Sequence, residues 1–136
     1  MHASCVSMSG QALLIVGDSG SGKSALALQL LAFGCDLVAD DRVSVSVGAD
    51  GLTAEAPPSL PKLIEARGIG LLRSVICEPA RLCAVVDMNT LETDRLPPAR
   101  KWSLLGQDLP LFLRVEGPHF AAALAQMMKY GWYDPE

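Results

Sequence analysis

What this chain lacks narrows it before any motif does. Its 136 residues hold no apolar run near the roughly eighteen needed to cross a bilayer, and the stretch before Gln11 lacks the charged-then-apolar form of a secretion signal. Neither a membrane span nor export is implied, and the cytoplasm is the expected compartment. Basic clusters are missing too: 11 Lys and Arg lie scattered against 15 Asp and Glu, for a formal net charge of −4. Binding a phosphate backbone needs grouped cations, so nucleic acid is not an expected partner. Histidine is down to His2 and His119, and the four cysteines, Cys5, Cys35, Cys77 and Cys83, form no C-x-x-C pair. A structural zinc site has no ligands of the usual spacing, and the apolar surroundings of the cysteines mark them as buried free thiols.

What the chain has is apolar residue, half of its length, enough for a single domain over 1–136 with a core of its own. Its organising stretch is Gly17-Asp18-Ser19-Gly20-Ser21-Gly22-Lys23-Ser24, a complete G-x-x-x-x-G-K-S phosphate loop. The context fits the pattern. Ala12 to Val16 reads as a buried strand that delivers the loop, and Ser24 to Phe33 reads as a helix of strong formers stopped by Gly34. Gly17, Gly20 and Gly22 free the backbone for close approach to an anion, Lys23 offers a point charge to the outer phosphates, and Ser24 offers a hydroxyl to Mg²⁺. Nucleotide or polyphosphate binding follows.

Around this loop the chain reads as a mixed sheet. Ala3 to Met8 alternates, Ser9-Gly10 turns, and the loop-feeding strand returns, so His2 is expected at the loop end of an antiparallel neighbour. Asp36 to Asp41 is a short strand ending in two acids. Adjacent residues alternate in direction, so one of Asp40 and Asp41 can face the phosphates as a general base or Mg²⁺ holder while the other takes a structural bond. Val43 to Val47 and Leu52 to Glu55 flank Gly48 to Gly51 as a second hairpin. After Pro57-Pro58, Leu60 to Ile64 is expected as one helical turn, with Glu65-Ala66-Arg67-Gly68-Ile69-Gly70 as a loop. Leu82 to Asp87 is an apolar strand whose terminal Asp87 rivals Asp41 as the magnesium acid. A polar, proline-rich loop spans Thr93 to Pro98, a strand Leu109 to Val115, and a closing helix Phe120 to Tyr130 with Ala121, Leu124, Ala125 and Met128 inward, before Gly131. The tail from Trp132 can pack on the body or on another subunit.

The ordered set of His2, the phosphate loop, Leu37-Val38-Ala39-Asp40-Asp41-Arg42-Val43, Glu65-Ala66-Arg67-Gly68-Ile69-Gly70 and Asp94-Arg95-Leu96 resembles the motifs of the HPr kinase/phosphorylase family. The resemblance implies an α/β, mixed-sheet P-loop kinase fold related to phosphoenolpyruvate carboxykinase, in a short form holding the catalytic domain, assembled as a homo-oligomer, commonly a hexamer. It implies transfer of the γ-phosphoryl group of ATP to a serine of the phosphocarrier protein HPr. Carried over by position, Lys23 binds the β- and γ-phosphates, Ser24 and Glu65 match the magnesium ligands, and Asp41 matches the proton acceptor. Asp40 is its near neighbour, His2 occupies a catalytic position, and Arg95 matches the arginine that steadies the transferred group. Two departures stand out. Ala25 replaces the family's usual Glu, and Arg114 to His119 replaces an arginine- and glycine-rich segment tied to phosphorolysis, retaining only Arg114 and Gly117. Kinase activity is therefore expected, with phosphorolysis left open. A small-molecule kinase and a nucleotide-binding regulatory module without catalysis are the competing readings.

Overall fold

The computed structural model of the chain describes residues 1–75 and 78–135. Strands β1 (Ser4–Met8) and β2 (Gln11–Val16) form the first hairpin. Its two-residue turn puts both Ser9 and Gly10 at positive φ, 54° and 79°, the handedness that matches the twist of the flanking strands. Helix α1 (Lys23–Ala32) follows the phosphate loop. It closes as the sequence predicts: the Cys35 N–H reaches Leu30 O, the Gly34 N–H reaches Leu31 O, and Gly34 takes φ 101°. These paired bonds satisfy carbonyls that the helix end leaves open.

Next come β3 (Asp36–Ala39) and the hairpin β4 (Ser44–Gly48) with β5 (Gly51–Glu55). The following stretch corrects the expectation from sequence. Residues 57–60 close a turn, the Leu60 N–H meeting Pro57 O, and no helical turn forms. Instead β6 (Leu63–Ala66) and β7 (Gly70–Arg73) pair as a separate two-stranded sheet, so that Glu65 lies on a strand. The alternation of buried Ile64 and Ala66 with exposed Glu65 is the physical reason, a period of two too short to stand out between Pro61 and Gly68.

The chain then runs through β8 (Ala80–Leu91), β9 (Lys101–Leu104), β10 (Gln107–Arg114) and α2 (Phe120–Tyr130). β8 is twice the length of the apolar run that announced it. Its polar outer half stays in the sheet through β10, Leu113 opposite Asp87 and Arg114 opposite Leu91 with a register shift between them, while β2 pairs in parallel only as far as Val16 opposite Asp87. Lys101 to Gly106 carried no assignment from sequence and forms β9 with the turn Leu105-Gly106.

The main sheet has the order β3-β1-β2-β8-β10-β9, with β5 added antiparallel to the start of β8 and β4 outside it. Since β1 is antiparallel to both β2 and β3, the strands β2, β3, β8 and β10 all end at one edge. Two cores lie on the two faces. Val6, Leu13, Ile15, Ala84 and Val86 face α1 and α2, while Cys5, Leu14, Leu82 and Val85 face Val43, Leu52 and Ala54 of the β4–β5 side. This is the architecture of a mixed α/β fold, its helices confined to one face. Helix α2 buries Ala121, Leu124, Ala125 and Met128 as the pattern predicts, and Trp132 packs edge-on to Phe112 with ring centroids 5.1 Å apart.

Leu30 is the largest fully buried side chain that α1 sends into the helical-face core. Leu30→Ala is expected to lower the unfolding free energy by about 2–5 kcal/mol in a urea titration; a loss below about 1 kcal/mol would place this helix outside the cooperative core.

Candidate active site

At the edge where the parallel strands end, the phosphate loop is shaped by its glycines. Gly17, Gly20 and Gly22 have φ of 149°, 82° and 101°. A Cβ at Gly17 would lie 2.5 Å from Ser21 Oγ and 3.1 Å from Met88 Cβ, at a positive φ that disfavours any side chain. Gly22 caps α1 without a side-chain hydrogen bond, and the first turn carries no acid. The helix N–H groups and the positive end of its dipole are thus left facing the loop, the arrangement that receives anions. Lys23 is buried and folds its ammonium over the loop, donating to Gly17 O at 2.7 Å and Asp18 O at 3.0 Å. The Asp18 N–H donates to Asn89 Oδ1 at 2.9 Å, so the long outer half of β8 braces the loop. Ser21 Oγ is buried with no hydrogen-bond partner among the described residues.

The two acids after β3 separate as alternation requires. Asp40 is 9% exposed and gathers three donors: Ser4 Oγ at 2.6 Å, Ser24 Oγ at 2.8 and 3.0 Å, and the Glu65 N–H at 3.4 Å. One carboxylate therefore joins β1, the start of α1 and β6. Because Ser24 spends its proton on Asp40, its oxygen lone pairs stay available on the loop side. Asp41 is the opposite case, with a side chain 70% exposed. Its φ of 73° is a left-handed conformation, tolerated by Asp better than by most residues, that turns the chain at the end of the strand. Its Oδ1 lies 2.9 Å from His2 Nε2; a carboxylate only accepts, so Nε2 carries the proton of this bond. His2 is held by the ladder of the chain's first residues, in which the Ala3 N–H donates to Asp41 O and the Val43 N–H to Met1 O.

These groups share a cleft of about 480 Å³, lined among others by His2, Lys23, Ser24, Asp41, Glu65 and Arg67. Ser19, Gly20 and Gly22 line it from the loop. Asp40 lies behind it. Asp87 is not among its lining residues; it stands at the same edge, accepting from the Asn89 N–H at 2.9 Å. Arg95 is exposed on the loop after β8 and does not line the cleft either. The sequence reading gave no role to Ser4 or Asn89, and it counted Arg67 only as part of a stretch suited to a loop close to a bound anion or metal. Ser4 and Asn89 could have been found only from strand register, which no short motif encodes.

Among the described residues, no group of three or more His, Cys, Asp or Glu side chains is arranged to hold a metal. The oxygens of Ser24 and Glu65 nevertheless suit Mg²⁺, which takes few protein ligands and completes its shell from substrate phosphates and water. Among the described residues no cysteine lines the cleft. Cys5 and Cys35 are buried and Cys83 is half-buried, none of them in a disulfide, while Cys77 lies outside the described residues. Burial, with Asp36 beside it, pushes the Cys35 thiol up to about 11, and burial raises Cys83.

The loop bearing Arg95 is fastened at its base. Glu92 accepts from the Thr93 and Asp94 N–H groups at 3.1 and 3.2 Å and from Arg100 Nε and Nη2 at 3.3 and 3.1 Å. Burial alone would raise this carboxyl, but the Asp94 N–H, the Arg100 guanidinium and the Thr93 N–H outweigh it and hold it below the usual range.

Fold and site together define a mixed-sheet α/β domain that carries a strand, a G-x-x-x-x-G-K-S loop and a helix beside a cleft with an exposed His–Asp pair. Residues 1–76 match the family model "HPr Serine kinase C-terminal domain", and the chain belongs to that family. It is 40% identical over 108 residues to the HPr kinase/phosphorylase of Ralstonia pickettii, covering 71% of this chain and 33% of that protein. Over the same length it is 47% identical to the HPr kinase/phosphorylase of Cupriavidus necator, with the same coverage. The chain thus spans about a third of the length of these curated relatives. The solved Hpr(Ser) kinase/phosphatase of Coxiella burnetii superposes with a TM-score of 0.78 at 22% identity, covering 95% of this chain and 93% of that one, so the fold is shared.

The contrast between the two acids is measurable in urea. Asp40→Ala strands two hydroxyls and an N–H and should lower stability by about 2 kcal/mol, whereas Asp41→Asn, exposed, should change it by less than about 0.5 kcal/mol; equal effects would contradict the division. A second test concerns pH. Because folded Glu92 titrates below its unfolded counterpart, its clasp stabilises fully above the usual carboxylate range and is lost as pH falls through the folded value. Glu92→Gln should therefore flatten the loss of stability between about pH 5 and pH 3 relative to the parent chain, and an unchanged acid limb would refute the clasp.

Proposed function

We propose that this chain is a catalytic domain that moves the γ-phosphoryl group of ATP to a serine hydroxyl of an HPr-type phosphocarrier. The observation that carries the reading is the exposed, left-handed Asp41, paired with His2 and facing the same cleft as Lys23 and Ser24. In this reading the loop N–H groups and Lys23 hold the β- and γ-phosphates. Ser24, fixed by Asp40, and Glu65 would hold Mg²⁺. That ion supplies charge neutralisation on the phosphates when bound.

Asp41 accepts the proton of the serine hydroxyl as its oxygen attacks the γ-phosphorus. The bond from that phosphorus to the β,γ-bridging oxygen breaks, and ADP leaves. His2 donates to Asp41 Oδ1, which keeps the carboxylate oriented toward the incoming hydroxyl. Arg95 sits on a loop leaving the same sheet edge, and its proposed task is to steady charge on the transferred group. Phosphorolysis requires inorganic phosphate as the attacking group. The segment expected to serve it keeps only Arg114 and Gly117, and Arg114 is already bonded to Met88 O and Glu116. The forward reaction is accordingly the one assigned here. A cytoplasmic location and assembly as a homo-oligomer, a hexamer by family resemblance, belong to the same proposal. Among the described residues no helix is long and apolar enough to cross a membrane.

The direct test is transfer of labelled phosphate from ATP and Mg²⁺ to purified HPr, with the label located by mass spectrometry. Label should appear on a serine and fall at least about a hundredfold in Asp41→Asn. Nucleotide binding without any labelled HPr would favour the regulatory module, and a labelled metabolite would favour a small-molecule kinase.

A further inference from the structure

The β6–β7 hairpin shows an uneven distribution of apolar residues between its two faces. Inward, Ile64 and Leu72 pack on the core beneath α1, and Ala66 is buried at the floor of the cleft. Register places Glu65 directly opposite Leu71, and Leu63 opposite Arg73, on the other face. There Leu71 is 68% exposed and Ile69, at the turn, is 79% exposed. A solvated strand face is ordinarily polar, so adjacent apolar side chains at this exposure mark a contact surface more than chance. Two arginines bound them, Arg67 in the turn and Arg73 on β7, in a chain of net charge −4.

The strip is continuous with the cleft. Arg67 and Ile69 line it, whereas Leu71 and Arg73 lie outside its lining. Nucleotide and a small acceptor would fill the cleft and leave the outer half of the strip wet. A ligand that covers both halves must enter the cleft and extend beyond it, as a folded protein offering one side chain does. A second copy of the chain seated on the strip would instead obstruct the mouth that the acceptor must enter.

We infer that the β6–β7 hairpin is the docking edge for the acceptor protein. Ile69 and Leu71 seat apolar side chains beside the acceptor serine, and Arg67 and Arg73 bound the contact. This inference rests on the kinase reading and names the surface that makes it specific for a protein. The site residues Glu65 and Asp41 then lie next to the docked surface, so docking and positioning of the hydroxyl are one event.

The test uses the full chain and HPr, with steady-state phosphorylation measured for the parent, Leu71→Asp and Leu71→Ser. Both variants should raise KM for HPr, Leu71→Asp by about tenfold or more, while kcat at saturating HPr falls by less than about twofold. Nucleotide affinity and sedimentation behaviour should match the parent, which also shows that the variants fold. Arg73→Ala should raise KM by a smaller factor that shrinks with added salt. If the parent labels HPr and both Leu71 variants keep its KM, the docking edge is wrong and the kinase reading stands. If the variants alter the oligomeric mass, the strip is a contact between copies and the inference is overturned. If the parent labels no HPr, the kinase reading fails and this inference fails with it.

Discussion

The site depends on one buried carboxylate. Asp40 accepts from Ser4, Ser24 and the Glu65 backbone, and so ties together a sheet strand, the first turn of the loop-bearing helix and the hairpin that forms the far wall of the cleft. A carboxylate removed from water is costly unless several donors meet it, and hydrogen bonds to an ionised acceptor are the strong ones. The requirement works in both directions. The donors are satisfied only if the three elements converge, and their convergence places Ser24 at the mouth of the phosphate loop with its oxygen turned outward.

Once Asp40 is committed inward, its neighbour has only the other face. The positive φ at Asp41 then turns the chain and leaves its carboxylate in solvent beside His2. Strain of this kind at a non-glycine residue is retained where the surroundings impose it, here by the ladder that joins residues 1–3 to residues 41–43. The proposed division of labour follows from this geometry: a buried acid that fixes the metal-binding hydroxyl, and an exposed acid that handles the proton. Each is defined by its surroundings, since the residue type is the same.

Much of this was legible in the residues. The strand, loop and helix around Gly17 to Ser24, both early hairpins and the closing helix carry strong local signals: glycines at turns, alternation, and an apolar stripe ended by Gly131. Alternation also announced that Asp40 and Asp41 would part, without saying which would turn inward. That choice is made by Ser4, a residue on another strand, and so was invisible to local reading. The β6–β7 hairpin was mistaken for a helical turn and loop because four-residue strands offer too little periodicity. The outer half of β8 was missed because Asp87, Asn89 and Thr90 are polar, although β10 carries the pairing out to Leu91. Arg95 was named through family resemblance, and its loop owes its fixed base to the Glu92–Arg100 clasp, a contact between loop ends that no motif encodes.

The division between the two acids is tested most directly by measuring Mg²⁺-dependent nucleotide affinity and single-turnover phosphoryl transfer to HPr in parallel for Asp40→Asn and Asp41→Asn. If Asp40 fixes Ser24 and Asp41 takes the proton, Asp40→Asn weakens Mg²⁺-dependent nucleotide binding. Asp41→Asn then keeps parental affinity and loses the transfer step. The reverse pattern, with nucleotide binding lost in Asp41→Asn and preserved in Asp40→Asn, would contradict the account.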